Sequence, residues 1–160
     1  DELTNRLPCD FLIANDRGLD CSDVLLPTVG GPDAALAAET ARALQETGKS
    51  TLSLLTVVDS PDERTAGEQF LDNWAETHDL SDAERIVDVT GDVEAAIERE
   101  AETSTMVMLG ATEQGLLSRL LSNSLHMQVV NTVDASVVLA ERPHERSLTQ
   151  RLIGSGRRNQ

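Results

Sequence analysis

A chain of 160 residues with 39% apolar content has room for one domain with a buried core. Its 28 acids stand against 13 bases, a formal charge of −15, and Lys49 is the only lysine. That balance, with Phe11, Phe70 and Trp74 as the only aromatic residues, excludes a nucleic-acid partner, which needs clustered cations or stacking platforms. It also lacks the ~18 consecutive apolar residues of a membrane span.

In chain order, Leu7-Pro8-Cys9-Asp10-Phe11-Leu12-Ile13-Ala14 is a polar or small opening followed by four apolar residues. Cys9 and Cys21 sit in no CxxC pair and near no histidine, so no metal site is expected. Small buried thiols in a reducing compartment are expected, with a disulfide between the two as the alternative. Asp23-Val24-Leu25-Leu26-Pro27 then reads as a buried strand ending at Gly30-Gly31. Pro32 and Asp33 suit the first turn of a helix over 33–47, with Leu36, Ala37, Ala41 and Leu44 on one stripe and Gly48 at its end.

The second half of the pattern repeats this alternation. Residues 51–58 predict a strand, and Pro61 to about His78 predict a helix with Phe70 and Trp74 in the core. Residues 83–89 form a third strand and 92–102 a helix with Val93, Ala96 and Ile97 inward. Met106-Val107-Met108-Leu109 is continuously apolar, as befits a strand covered on both faces. A glycine-containing loop from Gly110 to Gly115 leads to a helix over about 117–132, then to a fifth strand at 136–140. Strict alternation with short loops predicts an α/β fold: an open five-stranded parallel sheet with helices on both faces, Rossmann-like, plus an extra N-terminal strand. The expected division is an N-terminal segment 1–21, a domain 22–141 and a basic C-terminal tail 142–160.

Two segments at the ends carry charge or symmetry. Residues 141–160 hold five arginines against two glutamates, net +3, and this tail is expected to fold back on the acidic body or to meet anionic lipid. Residues 7–14 match 133–140 in pattern, which reads either as the last strand of a preceding repeat or as chance likeness. Val137, Val138 and Leu139 form an edge that needs covering. The N-terminal segment is expected to pair with it, within the chain or across a dimer. The acid excess with near-absence of lysine resembles proteins of salt-in halophiles, whose self-repulsion needs screening.

In an open parallel sheet, ligands bind beyond the carboxyl ends of the strands where strand order switches. Three segments converge there: Pro27 to Gly31, Val57 to Ser60 and Gly110 to Ser124. At these residues the chain resembles the universal stress protein family, over roughly 22–141. The likeness rests on Val24-Leu25-Leu26-Pro27-Thr28-Val29-Gly30-Gly31, on Leu54 to Asp59 and on Gly110-Ala111-Thr112-Glu113-Gln114-Gly115 through Asn123-Ser124. The resemblance implies an adenine nucleotide alpha hydrolase-like fold and a pocket formed by Thr28, Val29, Val57, Gly110, Thr112, Glu113, Gly115, Asn123 and Ser124. Nucleotide-binding members carry Gly-x-x-Gly, nine residues, then Gly-Ser/Thr. Here Gly110 and Ser124 match, while Glu113 and Asn123 replace glycines.

Those departures have physical meaning. Glu113 puts a carboxylate where backbone should approach phosphate. Asn123 tolerates left-handed backbone and is the milder change. Val29 stands where ATP-binding members carry Asp. The resemblance thus implies a degraded pocket, with no cofactor expected and ATP or AMP disfavoured; a working nucleotide switch is the alternative. Catalysis is not expected: Val29 to Ala34 is similar to the Ser-Gly-Gly-x-Asp-Ser loop of adenylating pyrophosphatases, but both serines are replaced. The family further implies a homodimer through the last strand. The tail, Glu141-Arg142-Pro143 to Arg151-Leu152-Ile153-Gly154, resembles the terminus of haloarchaeal cationic amino acid transporters that carry such domains in their cytosolic part. A cytoplasmic regulatory domain of a transporter is the reading this implies.

Overall fold

The structure is a computed structural model and describes residues 9–48, 50–110 and 133–142. Six strands form a single sheet: β1 (Phe11–Asn15), β2 (Asp23–Pro27), β3 (Thr51–Val57), β4 (Glu84–Asp88), β5 (Met106–Gly110) and β6 (Ser136–Glu141). The described helices are α1 (Pro32–Thr47), α2 (Arg64–Thr77) and α3 (Val93–Ala101), with one 3-10 turn at Pro61–Glu63 before α2. Strand order is β1-β6-β5-β2-β3-β4. Every neighbouring pair is parallel except β1 with β6, which is antiparallel.

The apolar runs explain the layers. Successive strand residues face opposite sides. Val24 and Leu26 therefore join a core with Leu36, Ala37, Ala38 and Ala41 of α1 and Leu71 and Ala75 of α2. Leu25, Leu55, Val107 and Leu109 face the other way, against Ala96, Ile97 and Ala101 of α3. Small residues let the helices lie close to the sheet. A Cβ on Gly67 of α2 would come 2.8 Å from the Val87 side chain. Asp92 caps α3 by accepting from the Ala95 N–H at 3.1 Å.

Several expectations shift. Phe70 and Trp74 are only half-buried; they stack on each other and pack against the first core. Both cysteines are free, but Cys9 is exposed and Cys21 half-buried, because each lies in a connecting segment and not in a helix or strand. Val137, Val138 and Leu139 are not at an edge: β6 is interior, and the edge passes to β1. Pairing is within the chain, with Phe11 opposite Glu141, Ile13 opposite Leu139 and Asn15 opposite Val137. The expected helix over 117–132 lies outside the described residues, as does the tail beyond Arg142.

Candidate functional site

The chain builds β2, β3 and β4 outward in one direction, then returns to lay β5 on the opposite side of β2. The switch in strand order thus falls between β2 and β5, and their carboxyl ends define the candidate site. Thr28, Val29 and Gly110 lie at those two ends, and Val57 ends the neighbouring β3. Thr112, Glu113, Gly115, Asn123 and Ser124 lie outside the described residues.

The four described residues do different work. Thr28 is buried; its N–H donates to the Leu55 carbonyl at 2.8 Å, and its Oγ1 accepts from the Gly30 N–H at 3.0 Å. Its hydroxyl therefore shapes the loop. Val57 is half-buried against the α3-side core. Val29 is 46% exposed, an aliphatic side chain at the mouth of the site.

Gly110 has a packing reason to be glycine. A Cβ there would come 2.3 Å from the Ala34 nitrogen and 2.6 Å from the Asp33 carbonyl carbon. The end of β5 therefore abuts the first turn of α1, a closeness only glycine permits. The turn that starts α1 has its own glycine requirement, since Gly30 and Gly31 adopt φ of 89° and 96°.

The feature that sequence reasoning valued too little is Asp33. It is fully buried at the helix N-terminus, and its Oδ1 accepts from the backbone N–H of Arg142 at 2.7 Å. This carboxyl group sits at the positive end of α1 and ties the end of β6 to it. The Arg142 side chain then pairs with Glu39 of α1 and lies 4.0 Å from Asp10. Arg142, the start of the basic tail, thus folds back on the acidic body. The signal in the sequence was an acid in the first turn after Gly-Gly-Pro; its burial was not readable there.

Beside the site, β4 ends in a second anchored carboxylate. Asp88 accepts from the Thr90 backbone N–H at 2.8 Å, from the Thr90 hydroxyl, and from Arg99. Burial pushes its pKa upward, but the Thr90 and Arg99 hydrogen bonds outweigh this and hold it below the ordinary carboxylate value. At the opposite, amino ends of the strands lie two clefts of about 540 and 600 Å³. Arg17 with Asp20, Glu98, Glu102 and Asp134 lines the first, so acids outnumber the base there, and Asp23, Asp82, Glu84 and Glu100 line the second. Such walls repel phosphate. Among the described residues, no group of three or more His, Cys, Asp or Glu could hold a metal ion, and no helix is long and apolar enough to cross a membrane.

An open, mostly parallel sheet with helices on both faces and its crevice between β2 and β5 defines a doubly wound α/β domain. The Universal stress protein family model matches residues 22–141. The chain belongs to the universal stress protein family. Among solved structures, a universal stress protein in complex with cAMP is 19% identical, with a TM-score of 0.54 over 77% of this chain and 96% of that one. A universal stress protein from Archaeoglobus fulgidus is 17% identical, with a TM-score of 0.55 over 78% of this chain and 45% of that one. A family member from Burkholderia pseudomallei is 21% identical, with a TM-score of 0.53 over 74% of this chain and 95% of that one. This chain therefore spans under half of the Archaeoglobus protein. At these identities the likeness is one of fold. No curated protein matches the sequence.

Proposed function

We propose that the chain is a non-catalytic regulatory domain that acts by contact and carries a degraded nucleotide pocket. The observation that carries this reading is Val29, an exposed aliphatic residue at the mouth of the strand-order switch. A hydrocarbon there offers no acceptor to a nucleoside. Two features support it: Glu113 stands in the sequence position of a phosphate-cradling glycine, and Gly110 is accounted for by packing against α1. The basic tail supports placement in the cytosolic part of a cationic amino acid transporter, and the charge of −15 supports work in a salt-rich cytoplasm. A second copy of the chain is the partner proposed for the last strand, β6, which requires β1 to give up its place beside it.

Calorimetric titration with ATP and Mg²⁺ in molar KCl tests the pocket. The expected result is no sub-millimolar binding, with Val29→Asp and Glu113→Gly together raising affinity. Sub-millimolar binding by the unaltered chain would overturn the proposal. It would favour an adenine-nucleotide switch, the reading to which the cAMP complex of a structural relative lends support.

A further inference from the structure

Helix α2 and its cap carry three rings at four-residue spacing, Phe70, Trp74 and His78, which pack in series along one face. The His78 ring centroid lies 4.0 Å from that of Trp74, and the His78 backbone N–H donates to the Trp74 carbonyl at 3.1 Å. His78 closes the helix. Asp79 follows with φ of 55°, a left-handed turn that is costly for a residue with a Cβ. Arg42 of α1 holds its carboxylate at 2.9 Å. Glu39 lies about one turn before Arg42, so it shares the face of α1 that looks at this end of α2.

Glu39 already has a partner. Arg142 pairs with it, while Asp33 accepts the Arg142 backbone N–H at 2.7 Å and Asp10 lies 4.0 Å from the guanidinium. Half-buried His78 therefore meets charges from two other elements, Glu39 on α1 and Arg142 at the end of β6, besides its own neighbour Asp79. Arg42, the remaining cation of this face, is taken up by Asp79 and Glu46. Burial holds the imidazole below its ordinary value of 6.5; Glu39 and Asp79 oppose this, and Arg142 reinforces it. At neutral pH the ring is uncharged and leaves Glu39 to Arg142. A proton reverses the situation, since an imidazolium attracts Glu39 and repels the guanidinium.

We propose that His78 and Arg142 compete for Glu39, so that protonation of His78 loosens the root of the basic tail from α1. The clamp is closed at neutral pH. It opens as pH falls through a window below 6.5 and above the ordinary carboxylate range of about 4. Linkage makes the coupling reciprocal: whatever takes Arg142 away from Glu39 makes His78 easier to protonate. Stability follows the same sign. Unfolded His78 takes its proton at higher pH than folded His78, so its contribution is complete above 6.5 and declines as pH falls through the window.

The test uses the full chain in the most dilute KCl that keeps it folded, because salt screens these pairs. Trp74 is the only tryptophan, and an imidazolium against an indole quenches its fluorescence. Between about pH 8 and 5, a single quenching step is expected with its midpoint below 6.5. Exchange of the Arg142 backbone N–H, followed by NMR and corrected for intrinsic pH dependence, should quicken about tenfold across the same step. His78→Gln should abolish both changes; His78→Phe, which keeps a ring on Trp74 and takes no proton, serves if that variant does not fold. Arg142→Gln should raise the midpoint by ~0.3 unit and Glu39→Gln should lower it by a similar amount. Packing of His78 on Trp74 alone predicts no shift in either variant. A step that survives His78→Gln or His78→Phe would overturn the proposal. So would an Arg142 N–H indifferent to the step, or a midpoint that neither Glu39→Gln nor Arg142→Gln moves.

Discussion

The two outermost strands, β4 and β1, close the sheet in opposite ways. Strand β4 runs from exposed Glu84 through half-buried Arg85, Ile86 and Val87 to buried Asp88, and α2 lies across it so closely that Gly67 has no room for a Cβ. Two of its charged residues are engaged: Arg85 reaches Asp72 at 3.1 Å and the Ser81 carbonyl at 2.8 Å, and Asp88 holds Thr90 and Arg99. Strand β1 has no described helix over it, and four of its five residues are exposed. A sheet end can thus be finished by polar side chains and a packed helix, or left with an interior-type strand awaiting cover. The first end is closed by packing and charge pairing; the second leaves Leu12 and Ile13 about half in solvent.

The largest expected effect tests this contrast directly. Gly67→Val forces a branched side chain against Val87 and Val58, and a loss of about 3 kcal/mol is expected from denaturant melts. Ile13→Asp at the other end should cost only about 1 kcal/mol, since half of that side chain is already in water. Equal losses at the two sites would erase the distinction between them. Next in size is salt. With −15 on the chain, the melting temperature should rise by roughly 5 °C or more between dilute buffer and molar KCl as repulsion is screened. A flat profile would mean that the ion pairs around β4 and α1 already balance the acids.

The smallest effect concerns Asp88. Its carboxyl is held below the ordinary value in the fold, so its stabilisation is fully present above the unfolded value of about 3.8. It is lost as pH falls through the folded value. Asp88→Asn should flatten stability against pH across that acid range. Arg99→Gln, removing one partner of a half-exposed pair, should cost about 0.5 kcal/mol at neutral pH. An unchanged acid slope in Asp88→Asn would place the anchoring of β4 elsewhere.

Much of the fold was legible because local patterns carried it. Continuous apolar runs at 24–26 and 106–109 marked strands covered on both faces. Gly30-Gly31-Pro32-Asp33 marked the start of α1, since two positive φ values and a proline at the first turn are chain-local demands. The candidate site was legible only in outline. Thr28 was assigned to the pocket by resemblance, yet its hydroxyl faces the Gly30 N–H. Gly110 had the right residue for a phosphate loop, and its packing against α1 depends on a distance between elements far apart in the chain. Cys9 lies too near an irregular connection for burial to be read from residue type alone.

What the amino-acid order determined by itself was the alternation of strands and helices, their approximate limits and the family to which they belong. Each rests on periodicity and turn chemistry within a few residues. The order of strands across the sheet, the burial of Asp33 beneath Arg142 and the choice, left open by the sequence, of pairing β1 with β6 within the chain were decided only by tertiary structure. The last two are contacts between residues more than 100 positions apart. A strand's sequence states that it needs neighbours, but which strand fills that place depends on the geometry of the whole sheet.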